Sequence, residues 1–270
     1  MSKFQLKDNI YIAKERLKEN AQVMCKTDLN FLKIHNGLRP GNIHLVMGLS
    51  GGGKSTFMRT MINDTWKNKK PHQRLSVWFS EESENDFSTM IARTEIGENV
   101  FKTKALDFFS EVDHELSIKE MAQSLKELAK KSAVLFFDNL TTSSFYAGDF
   151  NQQNKFIILL KKIAVELNIP VVIFAHTDAK VKEGAKGLIE QNDIRGPKSI
   201  VNHAQFIYIL QQFHIGNEIF TTLRLVKHRG QSPDHKMFSL IYDPVTMTYN
   251  KSRQIMFSEF KAIFGERNKL

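Results

Sequence analysis

Apolar positions along this chain follow two alternating patterns. Nearly unbroken apolar runs at 43–47, 75–80, 133–138 and 171–175 have the length of strands buried on both faces. Between them, apolar side chains recur at helical spacing within 57–62, 84–96, 117–131 and 155–167. Ser117 and Glu120 fit a capping box that would start the third of these helices. Strand–helix alternation of this kind predicts an α/β domain, with a mostly parallel twisted sheet and helices on both faces. The rhythm changes in the C-terminal third. There, strands are expected at 206–210, 220–226 and 237–241, close enough together to form β-hairpins. Upstream, Ile10, Ile12, Ala13 and Leu17 predict a short amphipathic helix over 8–20. Residues 97–116 carry no clear pattern, and 141–153 and 177–199 read as polar loops. The second of these holds Lys180, Lys182, Lys186, Arg195 and Lys198, and loops of that length are often functional. Phe257, Phe260 and Phe264 stand at helical spacing in a basic final segment, suited either to core packing or to a partner.

The first apolar run feeds the most specific motif in the chain. Residues 48–56 read Gly48-Leu49-Ser50-Gly51-Gly52-Gly53-Lys54-Ser55-Thr56, which fits the phosphate-loop pattern G-x-x-x-x-G-K-[ST]. A strand before the loop and a helix after it complete the expected context. The glycines let backbone N–H groups approach an anion at the helix N-terminus, where partial positive charge accumulates. Lys54 is expected to reach the β- and γ-phosphates of ATP, and the Ser55 hydroxyl to hold Mg²⁺.

Composition narrows the setting. The 41% hydrophobic and 25% charged fractions are ordinary for a globular domain, and no apolar run approaches a membrane span. The N-terminus lacks the apolar core of a signal peptide. Cys25 is the only cysteine, which excludes an internal disulfide and suits a reducing compartment. A cytoplasmic location is expected, or the host cytoplasm for a chain of phage or plasmid origin. The net charge of +9 suits a polyanionic partner such as nucleic acid, or equally a lysine-rich surface kept for solubility.

Four further positions carry candidate chemistry. Asp138 ends an apolar strand, where a carboxylate can hold Mg²⁺ through water opposite Ser55. Glu81 and Glu82 end another, at the sheet edge where open α/β sheets bind ligands. Alternation sends their side chains to opposite sides, so one is expected to activate water and the other to be structural. His176 ends the fourth strand, suited to sensing a γ-phosphate or to a structural role. Lys227-His228-Arg229-Gly230 suits phosphate, nucleic acid or a solvated hairpin turn. Neither Cys25 nor the histidines have metal-ligand spacing.

Taken together these residues resemble a family. The run Gly37-Leu38-Arg39-Pro40-Gly41-Asn42 through Gly48 resembles the entry to the RecA-like core of DnaB-type hexameric helicases and their KaiC and RadA relatives. Phe79-Ser80-Glu81-Glu82-Ser83 resembles their catalytic-glutamate strand end, and Leu135-Phe136-Phe137-Asp138-Asn139 their second nucleotide-binding motif. Residues 171–176 resemble the phosphate-sensor strand. Asp193-Ile194-Arg195-Gly196-Pro197-Lys198 resembles the loop that contacts DNA backbone in the ring's pore, although Gly-Pro-Lys replaces the family's usual polar run. Residues 225–230 resemble the strand whose lysine and arginine finger, here Lys227 and Arg229, enter the neighbouring subunit's site.

The resemblance covers residues 28–250, with 1–27 as a linker extension and 251–270 as a basic tail. It implies a RecA-like P-loop NTPase core in a homo-oligomer, expected to be a hexameric ring. It implies Mg²⁺ and ATP bound between subunits, and Arg195, Gly196 and Lys198 on single-stranded DNA. A loader or other replication proteins are implied as partners. The function implied is that of an ATP-dependent helicase or translocase. The alternative is a KaiC- or RadA-like ATP-gated assembly or recombination ATPase that does not unwind; a small-molecule kinase fits less of the pattern.

Overall fold

The computed structural model describes residues 37–178, 188–196, 198–215, 218–228, 237–256 and 258–260. The helix expected over 8–20, together with Cys25, Lys180, Lys182, Lys186, Pro197, Arg229, Phe257 and Phe264, lies outside the described residues.

The chain builds one nine-stranded sheet in the order β3-β2-β4-β5-β1-β6-β7-β8-β9. The strands are β1 (Ile43–Gly48), β2 (Arg74–Phe79), β3 (Leu106–Ser110), β4 (Ser132–Asp138), β5 (Val171–His176), β6 (Phe206–Ile215), β7 (Glu218–His228), β8 (Met237–Asp243) and β9 (Thr248–Ile255). Strands β1 to β6 pair in parallel, and β6 to β9 form an antiparallel meander. The helices are α1 (Lys54–Asn68), α2 (Glu84–Ala92), α3 (Gly97–Thr103), α4 (Ile118–Lys130), α5 (Phe150–Glu166) and the short α6 (Ser199–His203).

The period of two along each strand divides the core into two layers. Val46, Val77, Phe79, Phe136 and Phe174 face α1 and α2, against Phe57, Met61, Phe87 and Ile91. Leu45, Trp78, Phe137 and Ile173 face α4 and α5, against Leu125, Ile157 and Leu160. Each fully buried side chain of this size contributes about 1.5–3 kcal/mol. With both faces covered, the central strands read as continuous apolar runs.

The expected strands and helices appear, with extensions whose causes are local. The capping box at Ser117 and Glu120 is formed at the head of α4. Helix α5 begins at Phe150, five residues before the expected start, because the Asp149 side chain accepts from Gln152 N at 2.8 Å. The unreadable stretch 97–116 holds α3 and the edge strand β3, whose Asp107 pairs with Arg74 and whose Phe109 stacks on Trp78 at 4.2 Å. The β6–β7 hairpin is longer than the apolar runs suggested. Strand β9 was not expected and crosses the 250/251 boundary. Lys251 and Arg253 are among its solvent-facing residues, which suits an edge strand. Phe260 is buried against Phe213.

One buried group sets an acid limit on this fold. His44 is wholly buried in β1, stacks on Phe206 at 4.4 Å, and accepts from Arg39 N through Nε2 at 3.1 Å. Burial lowers its pKa from 6.5 to about 3. The native state keeps the ring neutral while the unfolded chain protonates it, so this contribution is full above pH 6.5 and is lost as pH falls toward 3. Between pH 7 and 5 the loss from this group is about 2 kcal/mol. Urea unfolding midpoints at the two pH values should therefore move less in His44→Phe than in the parent protein.

Candidate nucleotide site at the phosphate loop

Four adjacent strands, β2, β4, β5 and β1, end along one edge of the sheet and deliver one functional group each. Strand β1 runs into the loop at Gly48, where a Cβ would lie 2.7 Å from the Leu210 carbonyl oxygen. Gly51 and Gly53 adopt φ of +72° and +84°, a region that side chains disfavour. Gly53 is also hemmed in from behind, since a Cβ there would sit 2.4 Å from the Tyr249 hydroxyl. No side chain caps α1, so its first-turn N–H groups stay open to an anion. Ser50 and Gly51 are exposed, and Thr56 accepts from Arg59 Nη2 at 3.2 Å.

Lys54 is buried and folded back on its own loop. Its ammonium donates to the Leu49 carbonyl at 2.8 Å, the Gly48 carbonyl at 3.3 Å and His176 Nδ1 at 2.8 Å. Burial lowers its pKa, opposed by the nearby Asp138 and Glu81 carboxylates. An incoming phosphate would replace these carbonyls with full charge.

Ser55 donates to Asp138 Oδ2 at 3.0 Å. Asp138 is buried, and that burial pushes its pKa up to about 7 against the pull of Ser55 and Lys54. A buried carboxylate beside a hydroxyl is a hard oxygen pair that fits Mg²⁺. Among the described residues no cluster of three His, Cys, Asp or Glu side chains could hold a metal alone. Phosphate oxygens and water would supply the remaining positions, as is usual for Mg²⁺.

Glu81 and Glu82 diverge as alternation requires. Glu81 Oε1 lies 3.0 Å from His176 Nε2 and 3.3 Å from Asn139 Nδ2. Because the Lys54 ammonium donates to Nδ1, the ring proton sits on Nε2 and is donated to Glu81. That hydrogen bond holds the Glu81 carboxyl below its usual range. Glu82 turns away. Its Oε2 is buried with no hydrogen-bond partner, and burial raises its pKa against the attraction of Arg59. Lys54, His176 and Glu81 thus form one polar line across the strand ends.

His176 also leads out of the site. Its carbonyl accepts from Arg195 N at 3.0 Å, Thr177 bridges Ile194, and Asp178 N donates to the Asp193 carbonyl at 2.7 Å. Arg195 and Lys198 are exposed. Gly196 has φ +102°, and a Cβ there would sit 2.6 Å from the Tyr146 ring. These three residues stand apart from the phosphate loop, joined to it through β5. Lys227 does not reach the site in its own chain; its ammonium donates to the Val201 carbonyl. Strand β7 ends at His228, paired with Phe206, at the amino end of the parallel strands and opposite the loop.

Three participants escaped the sequence reading. Asn139 follows Asp138 directly, so its position was visible but its contact with Glu81 was not. Tyr249 and Gln212, which back Gly53, come from distant strands and left no local signal.

No family model matches the chain, and no curated protein matches it. Solved structures do. The ATPase domain of G40P superposes with a TM-score of 0.70 at 14% identity, covering 93% of this chain and 99% of that one. A DnaB-like replicative helicase, solved with its primase interactions, gives 0.69 at 14% identity over 93% of this chain and 67% of that one. The fold is RecA-like. A KaiC-like protein of Pyrococcus horikoshii shares it, with a TM-score of 0.61 at 14% identity over 84% of this chain and 96% of that one. The RecA-like core thus has the α/β architecture expected, with its antiparallel hairpin strands at the C-terminal side. None of its described helices is long and apolar enough to cross a membrane.

The brace behind the loop is testable. Gly53→Ala should destabilise the protein by about 1–2 kcal/mol from the left-handed backbone alone, with a further loss from contact with Tyr249. Tyr249→Phe should cost less in that background than in the parent, because it removes the clashing oxygen. Thermal melts of the four proteins give the coupling directly.

Proposed function

We propose that this chain is the motor of a ring-forming ATPase that moves on single-stranded DNA, a translocase or helicase of the DnaB type. The observation that carries the reading is the polar line from Lys54 through His176 to Glu81. Its middle member is hydrogen-bonded through its own backbone to Arg195, at the edge of the basic loop.

ATP would lie with its phosphates on the first turn of α1 and its base toward the cavity of about 320 Å³ between the loop and Leu210, Gln212 and His214. Mg²⁺, held by Ser55 and Asp138, would neutralise charge on the phosphates. Glu81 polarises the attacking water, being the more exposed carboxylate of the pair and the one tied to Lys54. Glu82 is structural. Loss of the γ-phosphate frees Lys54 to return to His176, and the change passes along β5 to residues 193–195. Arg195, Gly196 and Lys198 follow the strand's phosphates, with binding that weakens as salt rises.

Strand β7 ends at His228, at the end of the sheet opposite the phosphate loop. This supports an assembly in which Arg229, with Lys227 positioning it, completes a neighbour's site. A hexameric ring in a reducing, cytoplasmic setting fits that arrangement, with the core over 28–250 and a loader or other replication proteins as partners. The KaiC-like neighbour supports a second reading, an ATP-gated assembly protein that binds partners without unwinding.

Turnover with and without single-stranded DNA, measured beside the native mass in ATP, separates the two. The motor predicts an oligomer whose turnover rises with the strand; DNA-independent turnover supports the assembly protein. Glu81→Gln should reduce turnover at least about 100-fold while ATP still binds, whereas Glu82→Gln stays within about threefold. Arg229→Ala should also bind ATP without turning over. Mixing it with Glu81→Gln should restore activity, since mixed interfaces pair an intact Glu81 with an intact Arg229. Absence of complementation would remove the shared site.

A further inference from the structure

We infer that the crevice between the head of α5 and the start of α6 is a nucleobase site, so that this chain grips the bases of a single strand as well as its phosphates. This deepens the single-strand reading above and rests on it. The two walls come from neighbouring strands: Phe150 follows β4, while Gly196, Lys198 and Ser199 follow β5. Between them lies an open cavity of about 770 Å³, within the roughly 300–1,000 Å³ range of small-molecule sites.

Its lining is unusual for a surface crevice. Phe150 lines the cavity and is 64% exposed. An exposed aromatic face is what an unstacked base requires, and every base offers a π-face to it. Behind Phe150 stand groups that match base edges. Asn154 and Ser199 line the cavity, and Asn154 Oδ1 and Ser199 Oγ are buried without a hydrogen-bond partner. The Tyr146 hydroxyl, on a side chain only 5% exposed, lies just behind Gly196 and is also unpartnered. Buried polar atoms are ordinarily satisfied, and orphans on two residues that line the cavity mark hydrogen bonds that a ligand would complete as their side chains turn toward it. Lys198 supplies a cation, and among the described residues no carboxylate lines the cavity. The nearby Asp149 is engaged at the α5 cap.

The set recognises a neutral, flat, hydrogen-bonding group next to a phosphate. Amides and hydroxyls each donate and accept, so the site tolerates any base. Gly196 fits the same picture, since a side chain there would collide with Tyr146 and crowd the wall.

The test compares binding of a labelled thymidine homopolymer with an abasic strand of equal length, by fluorescence anisotropy, using the full chain with Mg²⁺ and a non-hydrolysable ATP analogue. The parent protein should prefer the base-bearing strand by about tenfold or more, the scale of base–aromatic stacking. Phe150→Ala should abolish that preference by weakening the thymidine strand alone, and Phe150→Trp should retain it. Lys198→Ala should weaken both strands and lower the salt slope by about 0.7. Equal binding of both strands by the parent, or a preference that survives in Phe150→Ala, overturns the base site while leaving the single-strand reading intact. If the parent binds neither strand, that reading fails and the base site falls with it.

Discussion

A buried ammonium governs this molecule. Lys54 sits where four strand ends meet, shielded from water, and needs oxygen or nitrogen partners on every side. Two loop carbonyls and the His176 ring meet that need. The rest of the edge follows from this arrangement. His176 must present Nδ1 to the ammonium, so it presents an Nε2 proton to Glu81. Glu81 must then point along the edge, and Glu82 must point away. Asp138 stays near enough to offset the lysine's charge, though burial keeps it half willing to hold a proton. A phosphate entering this edge therefore redistributes several hydrogen bonds at once, which is the physical basis for reading it as a switch.

The sheet sets the three basic segments at different places along its edges. Its parallel strands place all loop-borne chemistry at the carboxyl end, while the antiparallel turn of β7 carries the Lys227 segment to the other end. A phosphate loop at one end of the sheet and a basic strand end at the other suit the head-to-tail assembly of identical chains proposed above. The route to the basic loop is shorter. It is the backbone pairing of residues 176–178 with residues 193–195, so a shift of the His176 ring need cross only one strand end.

The phosphate loop was legible because its chemistry fixes both spacing and residue type. Asp138 and His176 were legible because each ends a long apolar run at the ligand-binding edge. Which of Glu81 and Glu82 meets His176 was not, since both follow β2 and only the contacts with His176 and Asn139 separate them. Strands β3 and β9 were hidden for a shared reason: edge strands have one open side and carry charge where central strands carry aliphatics. The early start of α5 was hidden because Asp149 caps a polar first turn, Asn151-Gln152-Gln153-Asn154, that shows no periodicity. The pressure of Tyr249 on Gly53 joins residues nearly 200 positions apart, which no local pattern encodes.

The central claim is that His176 links the nucleotide's state to the grip on a single strand. Affinity for single-stranded DNA, measured with a non-hydrolysable ATP analogue and again with ADP, tests it in His176→Ala against the parent. The parent should show a difference on the order of 5- to 150-fold between the two nucleotides, the usual span of coupling between sites. The variant should bind the strand with one affinity in both. A His176→Ala protein that keeps the parent's full difference would contradict the account.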